Sequence, residues 1–194
     1  GDFAKLRGIP MCETIAGKGA VIHDHPAYVG GIGVTGSSAA NKMAEEADIV
    51  LAIGTRLQDF TTGSWTSFRQ DAQFISINAA RWDAVKHQAI SVVGDALETM
   101  RELDHGLGDW SASASWMEKG KQEMVKWNYL IDKLQAPTNA VLPSYAQVIK
   151  VIQDNADERD LVITAAGGPP GEVNKCWRVK SPNTVDTEFG FSCM

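Results

Sequence analysis

Apolar residues fall into two alternating rhythms along the first half of the chain. Ile9-Pro10-Met11-Cys12-Glu13-Thr14-Ile15 reads as a short strand, and a glycine-rich loop follows over residues 16–36. Ala39, Ala40, Met43, Ala44 and Ala47 then recur at helical spacing, which predicts a helix over residues 37–47 whose small face approaches a sheet closely. Asp48-Ile49-Val50-Leu51-Ala52-Ile53-Gly54 is nearly all apolar, the pattern of a strand buried on both faces of a parallel sheet. Residues 73–78 and 89–93 predict two more strands, the second running through Gly94-Asp95 into a short helix ending near Leu103. Strands alternating with helices require right-handed crossovers, so the fold class is α/β with a doubly wound parallel sheet.

Strand signals stop after Gly106. Trp116, Met117, Lys121, Met124, Trp127, Leu130 and Leu134 trace one side of a long helix, which ends before Pro137. Ser144-Tyr145-Ala146-Gln147 then opens a second unit with a capping box, in which Ser144 and Gln147 satisfy each other's free backbone donors. Tyr145, Val148, Ile149 and Ile152 form its expected buried stripe. Residues 160–164 predict a strand, and Ala165-Ala166-Gly167-Gly168-Pro169-Pro170-Gly171 a loop at its carboxyl end. The expected division is an α/β domain over residues 1–106, a helical linker over 107–142, and a truncated second α/β unit over 143–194. The first domain shows no opening strand, and the second shows a lone strand whose ladder groups lack a partner. Residues 171–194 are therefore expected to be mobile or opportunistically packed.

Composition removes several function classes. The chain is 44% hydrophobic and 22% charged, with net charge −6 and no basic block to mark a nucleic-acid surface. No apolar run approaches the roughly 20 residues of a membrane span, and the first residues carry no leader-like apolar core. Three scattered cysteines, Cys12, Cys176 and Cys193, make no disulfide framework, so a reducing, cytoplasmic setting is expected.

Gly31-Ile32-Gly33-Val34-Thr35-Gly36 has the spacing of a dinucleotide fingerprint, in which glycines let backbone N–H groups approach a pyrophosphate at a helix N-terminus. The preceding residues read as a loop, however, and no ribose-binding acid ends the next strand. A packed turn and a looser cradle for FAD, ADP or NAD both remain open. Arg56 and Asp59 follow the most apolar strand, where open parallel sheets place ligand contacts; a loop ion pair is the plainer reading. Gly167 and Gly168, with Glu172 opening a helix, form either a phosphate-binding turn or an ordinary strand-to-helix turn. His23-Asp24-His25 lacks a third ligand for a metal, and Gly17-Lys18-Gly19 lacks the spacing of a Walker loop. No nucleophile has a base patterned near it, so no catalytic and no metal-binding residues are expected within the chain.

Taken together, Gly8-Ile9-Pro10, Gly17-Lys18-Gly19-Ala20, His25-Pro26, Gly30, Gly33, Gly36, the run from Ala47 to Leu57, and Gly94-Asp95-Ala96-Leu97 resemble the central domain of thiamine-diphosphate enzymes of the acetolactate synthase type. The second unit, from Asp160 through Trp177, resembles the start of that family's diphosphate-binding domain. Residues 164–173 and 187–194 are similar to the branch that hydrolyses a cyclic 1,2-dione in inositol breakdown, also labelled malonic semialdehyde oxidative decarboxylase. The resemblance implies a Rossmann-like central domain in a homo-oligomeric enzyme that uses thiamine diphosphate and Mg²⁺. Its implied substrate is a cyclic polyhydroxy diketone; the cofactor carries the carbanion chemistry and the protein orients it. The family's metal motif and activating glutamate match nothing here. Gly94-Asp95-Ala96 with Asn128 mimics the metal motif, but Asn128 falls in the middle of the long helix. The implication is a chain that is itself inactive and structural. Gly167, Gly168 and Glu172 are its candidate contacts to thiamine diphosphate, with Gly31, Gly33, Gly36 and Arg56 kept for a nucleotide.

Overall fold

The computed structural model describes residues 1–165 and 167–187. Helix α1 (Asp2–Arg7), which has no counterpart in the pattern reading, leads into β1 (Met11–Glu13), β2 (Tyr28–Gly31), α2 (Ser38–Glu46) and β3 (Ile49–Ile53). Then come α3 (Asp59–Thr62), β4 (Gln73–Asn78), α4 (Arg81–Ala84), β5 (Ile90–Val93) and α5 (Ala96–Gly106). The long helix α6 (Ala114–Gln135) precedes α7 (Tyr145–Asn155), β6 (Val162–Thr164), α8 (Gly168–Cys176) and β7 (Val185–Thr187).

The class is the expected one, α/β with parallel pairing throughout the described strands. The sheet of the first unit comes in two pieces, β1–β2 and β3–β4–β5. β3 pairs with β4 in continuous register from Ile49 opposite Gln73 to Ile53 opposite Ile77. It is consequently an edge strand. Ala52 alone is fully buried, while Ile49 is 54% and Ile53 42% exposed, against the expectation of burial on both faces. β2 occupies residues read as loop, because Gly30 and Gly31 hide a strand from any hydrophobic pattern.

Helix α2 starts where Ser37 accepts from the Ala40 N–H, and its small face of Ala39, Ala40 and Ala44 lets α6 lie close. Gly120 gives α6 the same closeness to β2: a side chain there would meet Pro10 and Val29 at 3.2 Å. Tyr28, Val29, Ile32, Met43, Phe68, Phe74 and Met124 join those alanines in one core, and Ile131, Ala146, Ile149, Val173, Cys176, Trp177 and Val179 form a second. Trp127 packs against both. The stretch read as a linker is thus the spine between the units. Its buried face runs through Gly120, Met124, Ile131 and Gln135, whereas Leu130 and Leu134 point outward. On α7 the capping box forms as read, but only Ala146 and Ile149 are buried; Tyr145, Val148 and Ile152 are exposed.

Two further expectations are corrected. β6 is no orphan, since β7 pairs with it along Val162–Thr164. Residues 173–179 are held in the second core rather than loosely packed; residues 188–194, part of the branch resemblance, lie outside the described residues. Asp95 caps α5 by accepting from the Leu97 and Glu98 N–H groups, which accounts for the motif around Gly94. Arg7 ties α1 to the far end of this unit through Asp104 and the carbonyls of Gly108 and Trp110.

Candidate functional site: the two glycine turns and the seam between the units

Gly31, Gly33 and Gly36 lie together in the turn from β2 to α2, and the chain itself fills that turn. The Gly33 N–H donates to Asn41 Oδ1, the Gly36 N–H to the Gly33 carbonyl, the Ser37 N–H to the Gly31 carbonyl and the Val34 N–H to the Phe60 carbonyl. Side chains are excluded for equally local reasons. A Cβ on Gly33, whose φ is +105°, would strike the Phe60 carbonyl, and one on Gly36 would strike the Gly31 carbonyl. At Gly31 it would lie 2.6 Å from Asn174 Oδ1, which comes from α8 of the second unit. Asn174 also donates to the Thr35 carbonyl at 3.0 Å, and Gly171 approaches the Thr35 side chain. Four of the amides a pyrophosphate could call on here, those of Gly33, Val34, Gly36 and Ser37, are engaged within the protein.

Beside this turn lies a buried polar network. Glu13 Oε1 accepts from the Gly19 and Val21 N–H groups at 3.2 and 2.8 Å, and Oε2 accepts from the Tyr28 hydroxyl at 2.9 Å. Lys18 Nζ donates to the same hydroxyl at 3.4 Å. Burial raises the Glu13 carboxyl above the usual range, opposed by Lys18 and by its hydrogen-bond donors. Burial also pulls the Lys18 ammonium down to about 8, opposed by Glu13 and Cys176. Cys176 is pushed up to about 11 by burial and by neighbouring Glu172. The network fixes the loop of residues 14–26, and that loop meets the second unit. The His23 N–H donates to the Val179 carbonyl and the Asn183 N–H to the Gly19 carbonyl, each at 2.8 Å. Burial, with Arg178 and Lys18 adding to it, lowers the His23 imidazole to about 4. His25 Nδ1 accepts from the Ala27 N–H, so the two histidines serve the loop. Sequence reading missed this network. Its signal was a single acid inside an apolar strand, close to the backbone donors of a glycine-rich loop.

The second glycine turn is open among the described residues. Gly167, at φ +110°, caps α8, and helix begins at Gly168, so the residues read as a loop form a first turn instead. Gly167 and Gly168 are exposed, whereas Pro169 and Pro170 remove two of the four N–H groups that a helix start usually offers. Glu172 faces Lys175 at 3.1 Å and the Cys176 thiol. Among the described residues no group of three or more His, Cys, Asp or Glu side chains could hold a metal ion. Glu172 is engaged within its own helix, so what the described residues of this turn offer a diphosphate is backbone N–H groups. Arg56 pairs with Asp83 at 3.6 Å, not with Asp59. No helix among the described residues is long and apolar enough to cross a membrane.

Residues 1–103 match the family described as thiamine pyrophosphate enzyme, central domain. Along 99% of its length the chain is 34% identical to a 3D-(3,5/4)-trihydroxycyclohexane-1,2-dione hydrolase of Geobacillus thermodenitrificans, and 37% identical to that of Bacillus velezensis. Over 100% of its length it is 33% identical to the corresponding hydrolase of Clostridium perfringens. It spans about a third of these relatives' own length, 33–34%.

Proposed function

The chain belongs to the thiamine pyrophosphate enzymes, with residues 1–103 as their central domain, and from that membership we propose that it is the scaffold of a longer, thiamine-diphosphate- and Mg²⁺-dependent hydrolase. That enzyme cleaves the carbon–carbon bond between the two ketones of trihydroxycyclohexanedione, yielding 5-deoxy-glucuronate in inositol breakdown. Relatives named for this substrate, 33–37% identical along the whole chain, support the substrate reading.

The scaffold role rests on one observation, the docking of α8 into the first glycine turn through Asn174 and Gly171. In that turn the Gly33, Val34, Gly36 and Ser37 amides are bonded within the protein rather than directed at a nucleotide. Residues 1–194 hold the catalytic parts of the longer enzyme in place and react with nothing themselves. Gly167 and Gly168 are at most peripheral neighbours of the cofactor, and Glu172 pairs within α8.

Titration calorimetry of thiamine diphosphate with Mg²⁺ into the 194-residue chain tests this reading. No saturable heat is expected. Micromolar, Mg²⁺-dependent binding would overturn the scaffold role and assign the cofactor to these residues.

A further inference from the structure

Where the long helix ends and the second unit begins, residues 132–154 frame a cavity of about 870 Å³. That volume falls within the roughly 300–1,000 Å³ of small-molecule sites, which favour junctions between units. Its walls are the last turn of α6, the loop that follows, and one side of α7. Ala136, Pro137, Pro143, Val148, Val151 and Ile152 make those walls largely aliphatic.

The polar side chains of the walls are engaged, with one exception among the described residues. Gln147 donates from Nε2 to the Ala136 carbonyl at 2.6 Å and accepts at Oε1 from the Ser144 N–H at 2.8 Å. Thr138 Oγ1 accepts from the Ala140 N–H. Asp132 holds Arg178, and Lys150 holds Asp154. The exception is Gln135, the last residue of α6. It is only 6% exposed, yet its Nε2 finds no acceptor among the described residues. A buried donor left unpaired weakens a fold, so its presence on a cavity wall points to an occupant. An ordered water does not answer the need, because it takes roughly two to four polar partners and aliphatic walls supply few.

The missing group is therefore an acceptor on an apolar body. Charge narrows it further. An anion would meet two carboxylates, Asp132 and Asp154, against one ammonium, Lys150. An ammonium ligand would bring no acceptor to Gln135. We propose that this cavity binds a small neutral carbonyl compound with a branched aliphatic body. Its carbonyl oxygen accepts from Gln135 Nε2, and its alkyl groups lie against Val148, Val151 and Ile152. A carbonyl accepts without adding a donor that the aliphatic walls would strand. The site is separate from the cofactor reading and stands or falls without it.

An NMR titration of the 194-residue chain with the ketone 4-methylpentan-2-one tests the proposal, followed at the Gln135 side-chain amide and the Val148 and Val151 amides. These signals should move saturably, with half-saturation at or below about 10 mM for so small a ligand. The carboxylate of similar size, 3-methylbutanoate, should bind at least about tenfold more weakly. Gln135→Met keeps the bulk and removes the donor, so ketone binding should weaken at least about fivefold. The same variant should melt about 2–4 °C higher, because it no longer buries an unpaired N–H. Unmoved signals, equal affinity for the carboxylate, or undiminished binding to the variant would overturn the proposal. So would a lower melting temperature of the variant, which would make Gln135 a support of the fold. Movement of these signals on concentrating the protein alone would assign the cavity to a second copy and overturn it likewise.

Discussion

The two glycine turns look alike as sequence and differ completely as structure. Each follows a strand and opens a helix. Around residues 31–36 the protein has closed over the glycines from three directions: the Phe60 carbonyl, Asn41, and Asn174 from the second unit. At Gly167 and Gly168 little crosses the turn among the described residues, and the nearest of them to a side chain on Gly168 would be the ring of exposed Tyr145 at 3.1 Å. Glycine spacing reports that backbone comes close to something; it does not say whether that something is a ligand or the protein.

The largest expected effect comes from the network that holds the first turn's surroundings. Glu13→Ala leaves the Gly19 and Val21 amides and the Tyr28 hydroxyl without their shared acceptor and the buried Lys18 ammonium without its opposing charge, and should cost about 3–5 kcal/mol in denaturant unfolding. Gly33→Ala combines a left-handed φ with a clash against the Phe60 carbonyl. It should lose about 3 kcal/mol, read as a fall in melting temperature.

Acid should loosen the seam by a smaller amount. The native His23 imidazole titrates near 4 against an ordinary 6.5, so between those pH values the unfolded chain takes a proton that the native chain refuses. Stability therefore falls as pH drops through this window, by on the order of 2 kcal/mol after solvent screening. His23→Gln should remove that part of the slope between melts at neutral and acid pH. The smallest effect belongs to the open turn. Gly168→Ala should change stability by less than about 1 kcal/mol in the same melts, because Tyr145 can give way and alanine favours helix. A cost at Gly168 equal to that at Gly33 would erase the distinction between the turns.

Much of the fold was legible because its causes are local. The small-residue stripe of α2, the capping box of Ser144 and Gln147, and the apolar runs of β3, β4 and β5 each carry their signal within a few residues. What escaped depends on distant partners. β2 was hidden by its own glycines, and β7 is visible only as the strand that completes β6. The exposure of Ile49 and Ile53 follows from where the sheet divides, which no window of sequence contains. The candidate site behaved the same way. Gly31, Gly33 and Gly36 were found, but the residues that occupy them, Phe60 and Asn174, come from elsewhere in the chain. Arg56 was read as a ligand contact or as half of a loop ion pair with Asp59; it pairs with Asp83, a partner further along the chain.

The most direct test is an amide chemical-shift titration of the 194-residue chain with ADP and with FAD, following Gly31, Gly33 and Gly36. With the Gly33 and Gly36 amides bonded inside the protein and Asn174 against Gly31, all three signals should stay in place throughout. Saturable movement of the Gly33 and Gly36 signals would show that the turn opens to a nucleotide, and the account of a self-filled joint between two units would be wrong.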